Sequence, residues 1–91
     1  MAIKSFQYTL AQNVRQVICP PSTQPQEVHV HNHEHGSNKM LYVGGSDVTG
    51  ANGHHVFAES DMNVTLHPGQ SLYGFTDESG GIDVTVLCVG K

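Results

Sequence analysis

Four of the seven histidines stand at alternate positions in the stretch EVHVHNHEHG: His29, His31, His33 and His35. Imidazole is the commonest side-chain ligand for zinc and similar cations, so the row raises the question of a metal centre and of metal-assisted chemistry. In an extended strand successive side chains point to opposite faces. That places His29, His31 and His33 on one face and Val28, Val30 and Asn32 on the other. Same-face residues two apart are separated by about 6.6 Å of strand rise. Two imidazoles can pinch one zinc through bonds of about 2.0 Å, but four in a row span roughly 20 Å and cannot all reach it. A strand row is therefore at most a bidentate clip. Its other ligands would have to come from His54, His55, His67, Asp47 or a symmetry mate. The valines belong inside, which leaves the imidazoles on the outer face of a sheet or against a neighbouring subunit.

HVHNHEHG resembles the first motif of the cupins, an H-x-H element followed by a glutamate, here Glu34. The resemblance implies a small metal-dependent enzyme using His29, His31 and His33. The second cupin motif, a P-x-G turn with a histidine downstream, is not met, because in LHPGQ His67 precedes the turn. Other catalytic sets are absent. No G-x-S-x-G elbow occurs, the glycines of GGSDVTGANG are not followed by GK[ST], and Asp47 and Asn52 lack the third acidic ligand of a calcium loop. The expectation is a chain with no catalytic residues, no bound metal and no cofactor, whose histidine row is a solvated or interfacial polar face.

The formal charge of −4, with Lys4, Arg15, Lys39 and Lys91 as the fixed cations, leaves no basic stripe for a phosphate backbone, so no nucleic-acid partner is expected. No apolar run approaches the roughly 20 residues of a bilayer span, and MAIKSFQYTL lacks the apolar segment of a secretory signal. These features predict a chain made in the cytoplasm, without a membrane partner. Cys19 and Cys88 each sit in or at the end of an apolar alternation and read as two reduced core thiols rather than a disulfide.

The elements that must position these residues alternate with period two throughout. FQYTL, VRQVIC, EVHVHNH, KMLYVGG, HHVFAES, MNVTLH, QSLYGFT and IDVTVLCV read as strands, broken by PPSTQPQ, EHGSN, SDVTGANG, HPGQ and DESGG. Glu27 to Gly45 reads as a hairpin turning at Gly36 or Asn38, and Asn52-Gly53 as a tight left-handed turn. Short strands at intervals of about ten residues predict a single all-β domain, an antiparallel sandwich or jelly-roll-like small barrel. Residues 1–13 form an N-terminal arm or edge strand and 14–91 the sandwich. The expected core is Val28, Val30, Tyr42, Val48, Phe57, Val64, Leu66, Leu72, Phe75, Ile82, Val84 and Val86.

NKMLYVGGSDVTGANGHHV, followed by VTLHPGQSLYGFTDESGGIDVTVLCVG, resembles a pattern of small virion proteins of tailed bacteriophages: a strand ending in V-G-G-S-D-V-T, an N-G turn, a P-G turn, an L-Y strand and a final V-x-V-L strand. The similarity runs from about Val28 to Gly90 and points to minor capsid or head-decoration proteins. It implies a structural protein on the capsid exterior, commonly a trimer, whose partner is the phage major capsid protein. The histidine row departs from the pattern. Surfaces that such a protein would bury include Phe6, Tyr8 and Leu10 on a first strand that could add to a neighbour, Leu87 and Val89 on the last, and His29, His31 and His33, which could meet their counterparts near a trimer axis. Alternatives are a tail or fibre module binding a receptor or carbohydrate through Tyr73 and the loop Thr49 to His55, and the cupin-like enzyme.

Overall fold

Alternation of buried and half-buried residues runs without interruption through QEVHVHN, and it is the clearest strand of the fold. A computed structural model describes residues 3–34 and 39–90. They form β1 (Ile3–Leu10), β2 (Gln16–Cys19), β3 (Gln26–Asn32), β4 (Leu41–Gly44), β5 (His54–Val56), β6 (Asp61–Leu66), β7 (Leu72–Phe75) and β8 (Ile82–Gly90), with no helix among the described residues. Two four-stranded antiparallel sheets result, in the orders β1-β8-β3-β6 and β2-β7-β4-β5. This is the strand order of a jelly roll, in which the chain passes from sheet to sheet at nearly every connection.

That topology corrects the hairpin expected over Glu27 to Gly45. β3 lies in the first sheet and β4 in the second, and the sequential hairpin is β4–β5. Both β3 and β4 have an apolar face, Val28 and Val30 on one and Leu41 and Val43 on the other, and each face is buried by turning it toward the opposite sheet. The turn expected at Gly36 or Asn38 lies outside the described residues. The left-handed turn at Asn52-Gly53 does not form either, since neither residue has a positive φ. Instead Asn52 Oδ1 accepts from the Thr49 amide at 2.7 Å, and the Gly53 amide donates to the Thr49 carbonyl at 2.9 Å. Glycine is needed at 53 for space, because a Cβ there would come within 2.8 Å of Thr49 O, Tyr42 Cβ and Val48 Cγ2.

The core between the sheets contains the expected Val28, Val30, Leu66, Leu72, Ile82, Val84 and Val86, joined by Leu10, Ile18, Leu41, Val43 and Val56, with Val64 half-buried against it. Four expected core residues lie elsewhere. Val43 opposes Gly74 and faces inward, so its neighbour Tyr42 and the opposing Phe75 point away from the core. Val48 and Phe75 are buried there, on the far side of the second sheet, beneath loop 45–53. Arg15 closes this small cluster: its guanidinium stands 5.6 Å from the Phe75 ring centre, and its Nε donates to the Val48 carbonyl at 2.6 Å. Phe57 is 61% exposed. β5 ends at Val56 because the chain then crosses to the first sheet through a turn in which the Ser60 amide donates to the Phe57 carbonyl and Glu59 takes φ 62°.

β1 pairs with β8 along all eight of its residues and is one of the two edge strands of the first sheet, with Leu10 fully buried. In β2 the register shifts between Val17 and Cys19, and this bulge turns both Ile18 and Cys19 into the core. Cys19 and Cys88 are buried, free thiols.

Candidate functional site: the outer face of the first sheet

Register across β1, β8, β3 and β6 assembles the candidate site. One row across the sheet reads Ser5, Leu87, His29, Asn63, and the next reads Gln7, Thr85, His31, Asp61. Ile3, Val89, Glu27 and Thr65 continue the lattice at one end, with Thr9 and Asp83 at the other. All of these side chains point away from the core, because Val28, Val30, Val84, Val86 and Cys88 between them point into it. The face holds a broad depression of about 690 Å³ lined by Ser5, Gln7, His29, His31, Asn63 and Leu87, among others.

His31 Nδ1 hydrogen-bonds Asp61 Oδ1 across the β3–β6 pair. With the carboxylate ionised this sets the proton on Nδ1 and orients the ring. His33 packs edge-on to His31, ring centres 5.6 Å apart. At the end of the lattice the Thr9 hydroxyl donates to Asp83 Oδ1 at 2.9 Å, and Glu34 Oε2 accepts from the Asp83 amide at 2.8 Å.

Among the described residues the donor set does not fit a mononuclear metal centre. No three of the His, Cys, Asp or Glu side chains among the described residues converge on a common point. The ligands that a two-histidine clip would need are elsewhere. His54 and His55 sit on β5 of the other sheet, where His55 packs edge-on to Tyr42 at 4.9 Å, and Asp47 belongs to the loop over that sheet's outer side. Glu34, the acidic ligand of the cupin resemblance, is held by the β8 backbone. His35 lies outside the described residues.

The residues singled out from sequence are divided by the fold. His29, His31, Leu87 and Val89 share the outer face, and His33 follows on the same side. Phe6, Tyr8 and Leu10 point the other way. Leu10 is wholly buried in the core, a correction to its expected place on an interface, and Phe6 and Tyr8 are half-buried against the core with rings stacked at 5.9 Å. Asp61, Asn63 and Thr85 also belong to the face. The period-two alternation of DMNVTL and IDVTVLCV carried that signal once the strands were known to be neighbours of β3.

No family model matches the chain, and no curated protein matches it. Among solved structures it is similar to one described as Bacillus endospore appendages that form disulfide-linked pili, with 11% identity, a TM-score of 0.54, and coverage of 98% of this chain and 85% of that one. It is also similar to RmlC from Streptococcus suis in complex with dTDP-D-xylose, with 13% identity, a TM-score of 0.52, and coverage of 98% of this chain but 44% of that one. At these identities the likeness is one of fold, and this fold serves both an appendage protein and RmlC.

Proposed function

We propose that this chain is a structural virion protein of a tailed bacteriophage, a decoration or cement subunit that oligomerises on the outer shell and stabilises the lattice of major capsid subunits. The reading joins the strand-and-turn pattern from Val28 to Gly90 to one structural observation. The outer face of the first sheet is a continuous surface of imidazoles, other polar groups and the half-buried Leu87 and Val89, and it has no converging donor set among the described residues. A surface that mixes polar and apolar groups without a chemical centre is suited to docking on another protein.

Size explains why oligomerisation belongs to the reading. Four strands about 4.8 Å apart and some six residues long at about 3.3 Å each present on the order of 400 Å². A stable interface buries about 800 Å² per partner. One copy falls short, whereas three copies around an axis supply the area and gain avidity from simultaneous contacts.

The test is co-sedimentation of the purified chain with empty shells of the phage that carries it. Leu87→Asp and His29→Asp should each weaken binding at least tenfold while the chain stays folded at the assay temperature. Tyr73→Ala, on the opposite sheet, should bind as the wild type does. The reverse pattern, with binding lost in Tyr73→Ala and kept in Leu87→Asp, would move the contact to the other face and refute the proposal.

A further inference from the structure

Two thiols from opposite sheets meet inside the sandwich. Cys88 lies on β8, an interior strand of the first sheet between β1 and β3. Cys19 lies on β2, an edge strand of the second sheet, turned inward by the bulge after Val17. The Cys88 thiol donates to the Cys19 sulfur at 2.8 Å, within about 0.8 Å of the covalent S–S distance of ~2.05 Å. Both residues are buried, at 0% and 3% exposure. A cavity of about 160 Å³ reaches one of them: Cys88 lines it together with Gln26, Pro20 and Pro21, and Lys4 sets a cation at the exposed side.

We infer that Cys19 and Cys88 form a redox-closed staple, an intrachain disulfide that joins the two sheets when a small disulfide oxidant reaches the cavity. The inference is independent of the proposed virion role. The thiolate of Cys88, the sulfur that the cavity meets, attacks one sulfur of the oxidant, RSSR, forming a Cys88–S–S–R bond and releasing RS⁻. The sulfur of Cys19 then attacks Cys88 Sγ, gives up its proton and expels the second RS⁻. The balance is two protein thiols plus RSSR giving one protein disulfide plus two RSH. The protein loses two hydrogens, and the oxidant is reduced.

The pair is placed so that the bond constrains the chain. β2 is hydrogen-bonded along one side only, to β7, and through a bulged ladder. Cys19 and Cys88 are 69 positions apart, so the bond would close a large loop and remove much of the freedom of the unfolded chain. The second step is the slow one. Burial, the largest cause that raises the Cys19 thiol, persists in the mixed disulfide, so its thiolate is scarce at neutral pH and oxidation should accelerate as pH rises.

The experiment incubates the purified full chain with oxidised glutathione, then reads intact mass and the thermal melt before and after a reductant. The expected product is a monomeric chain lighter by two hydrogens, with no glutathione attached. Its melting temperature should be raised on the order of 10–20 °C, and the reductant should abolish the gain. Cys19→Ser and Cys88→Ser should show no such gain. The inference is overturned if the wild type stays reduced, retains glutathione on one cysteine, links only between chains, or closes the bridge without a rise in melting temperature.

Discussion

Asn32 is one of two polar residues, with Gln26, on the inward face of the histidine strand, and replacing it with leucine tests what holds that strand's end to the opposite sheet. The side chain is 0% exposed. Its Nδ2 donates to the Val56 carbonyl at 3.0 Å and to the Lys39 carbonyl at 3.1 Å, and its Oδ1 accepts from the Glu34 amide at 3.3 Å. Leucine is larger than asparagine, so crowding at this fully buried site adds to the polar cost. Val56 is itself buried, and its carbonyl would lose that donor where water does not reach, at about 1–3 kcal/mol. The two bonds nearer the rim contribute about 0.5–1.5 kcal/mol each. The polar sum runs from about 2 to 6 kcal/mol and is centred near 4. For a domain of this size each kcal/mol moves the melting temperature by about 4–8 °C, so a fall of at least about 8 °C is expected. Urea unfolding followed by circular dichroism should show the midpoint falling with the slope unchanged. Asn32→Asp separates polar satisfaction from shape, because its carboxylate would face two carbonyl oxygens. Its pKa in the folded state would rise above the unfolded value of about 3.9, so stability would fall as pH climbs from 4 through that raised value and recover on acidification. An Asn32→Leu chain as stable as the wild type would refute the argument.

Two further perturbations follow from the packing. Gly81 takes φ +76° and a Cβ there would lie 2.1 Å from the Leu10 carbonyl oxygen, so Gly81→Ala should cost at least about 3 kcal/mol in denaturant unfolding, whereas Gly69→Ala, at φ +82° but in open space, should cost only the smaller strain of its backbone. Because the folded chain holds the Cys19 thiol protonated up to about 12 against 9.0 when unfolded, the reduced protein should lose stability as pH rises from 9 toward 12, and Cys19→Ser should lose less over that interval.

The fold was legible wherever alternation was long. QEVHVHN and IDVTVLCV declared both their faces, and these two strands lie side by side at the centre of the first sheet. What alternation could not reveal was partnership. Nothing in EVHVHNH or KMLYVGG distinguishes a hairpin from a crossing between sheets, because both bury the same side chains. The inward turn of Cys19 depends on a one-residue bulge in a four-residue strand, and no period survives in so short a segment. Phe57, Tyr42 and Phe75 were misplaced for a related reason: an aromatic beside a strand end reads as core, although Phe57 faces solvent and the other two pack on the outside of a sheet. Of the candidate site, the outward histidines with Leu87 and Val89 could be read from sequence. Asp61, Asn63 and Thr85 became part of it through register alone.

The most direct test of the account is the number of copies of this chain in purified phage particles, measured by quantitative mass spectrometry against the major capsid protein. A subunit that cements the shell should be present in a fixed ratio to the major capsid protein and in hundreds of copies per particle. A few copies per particle would assign the chain to a tail or fibre, and its absence from purified particles would contradict the virion role altogether.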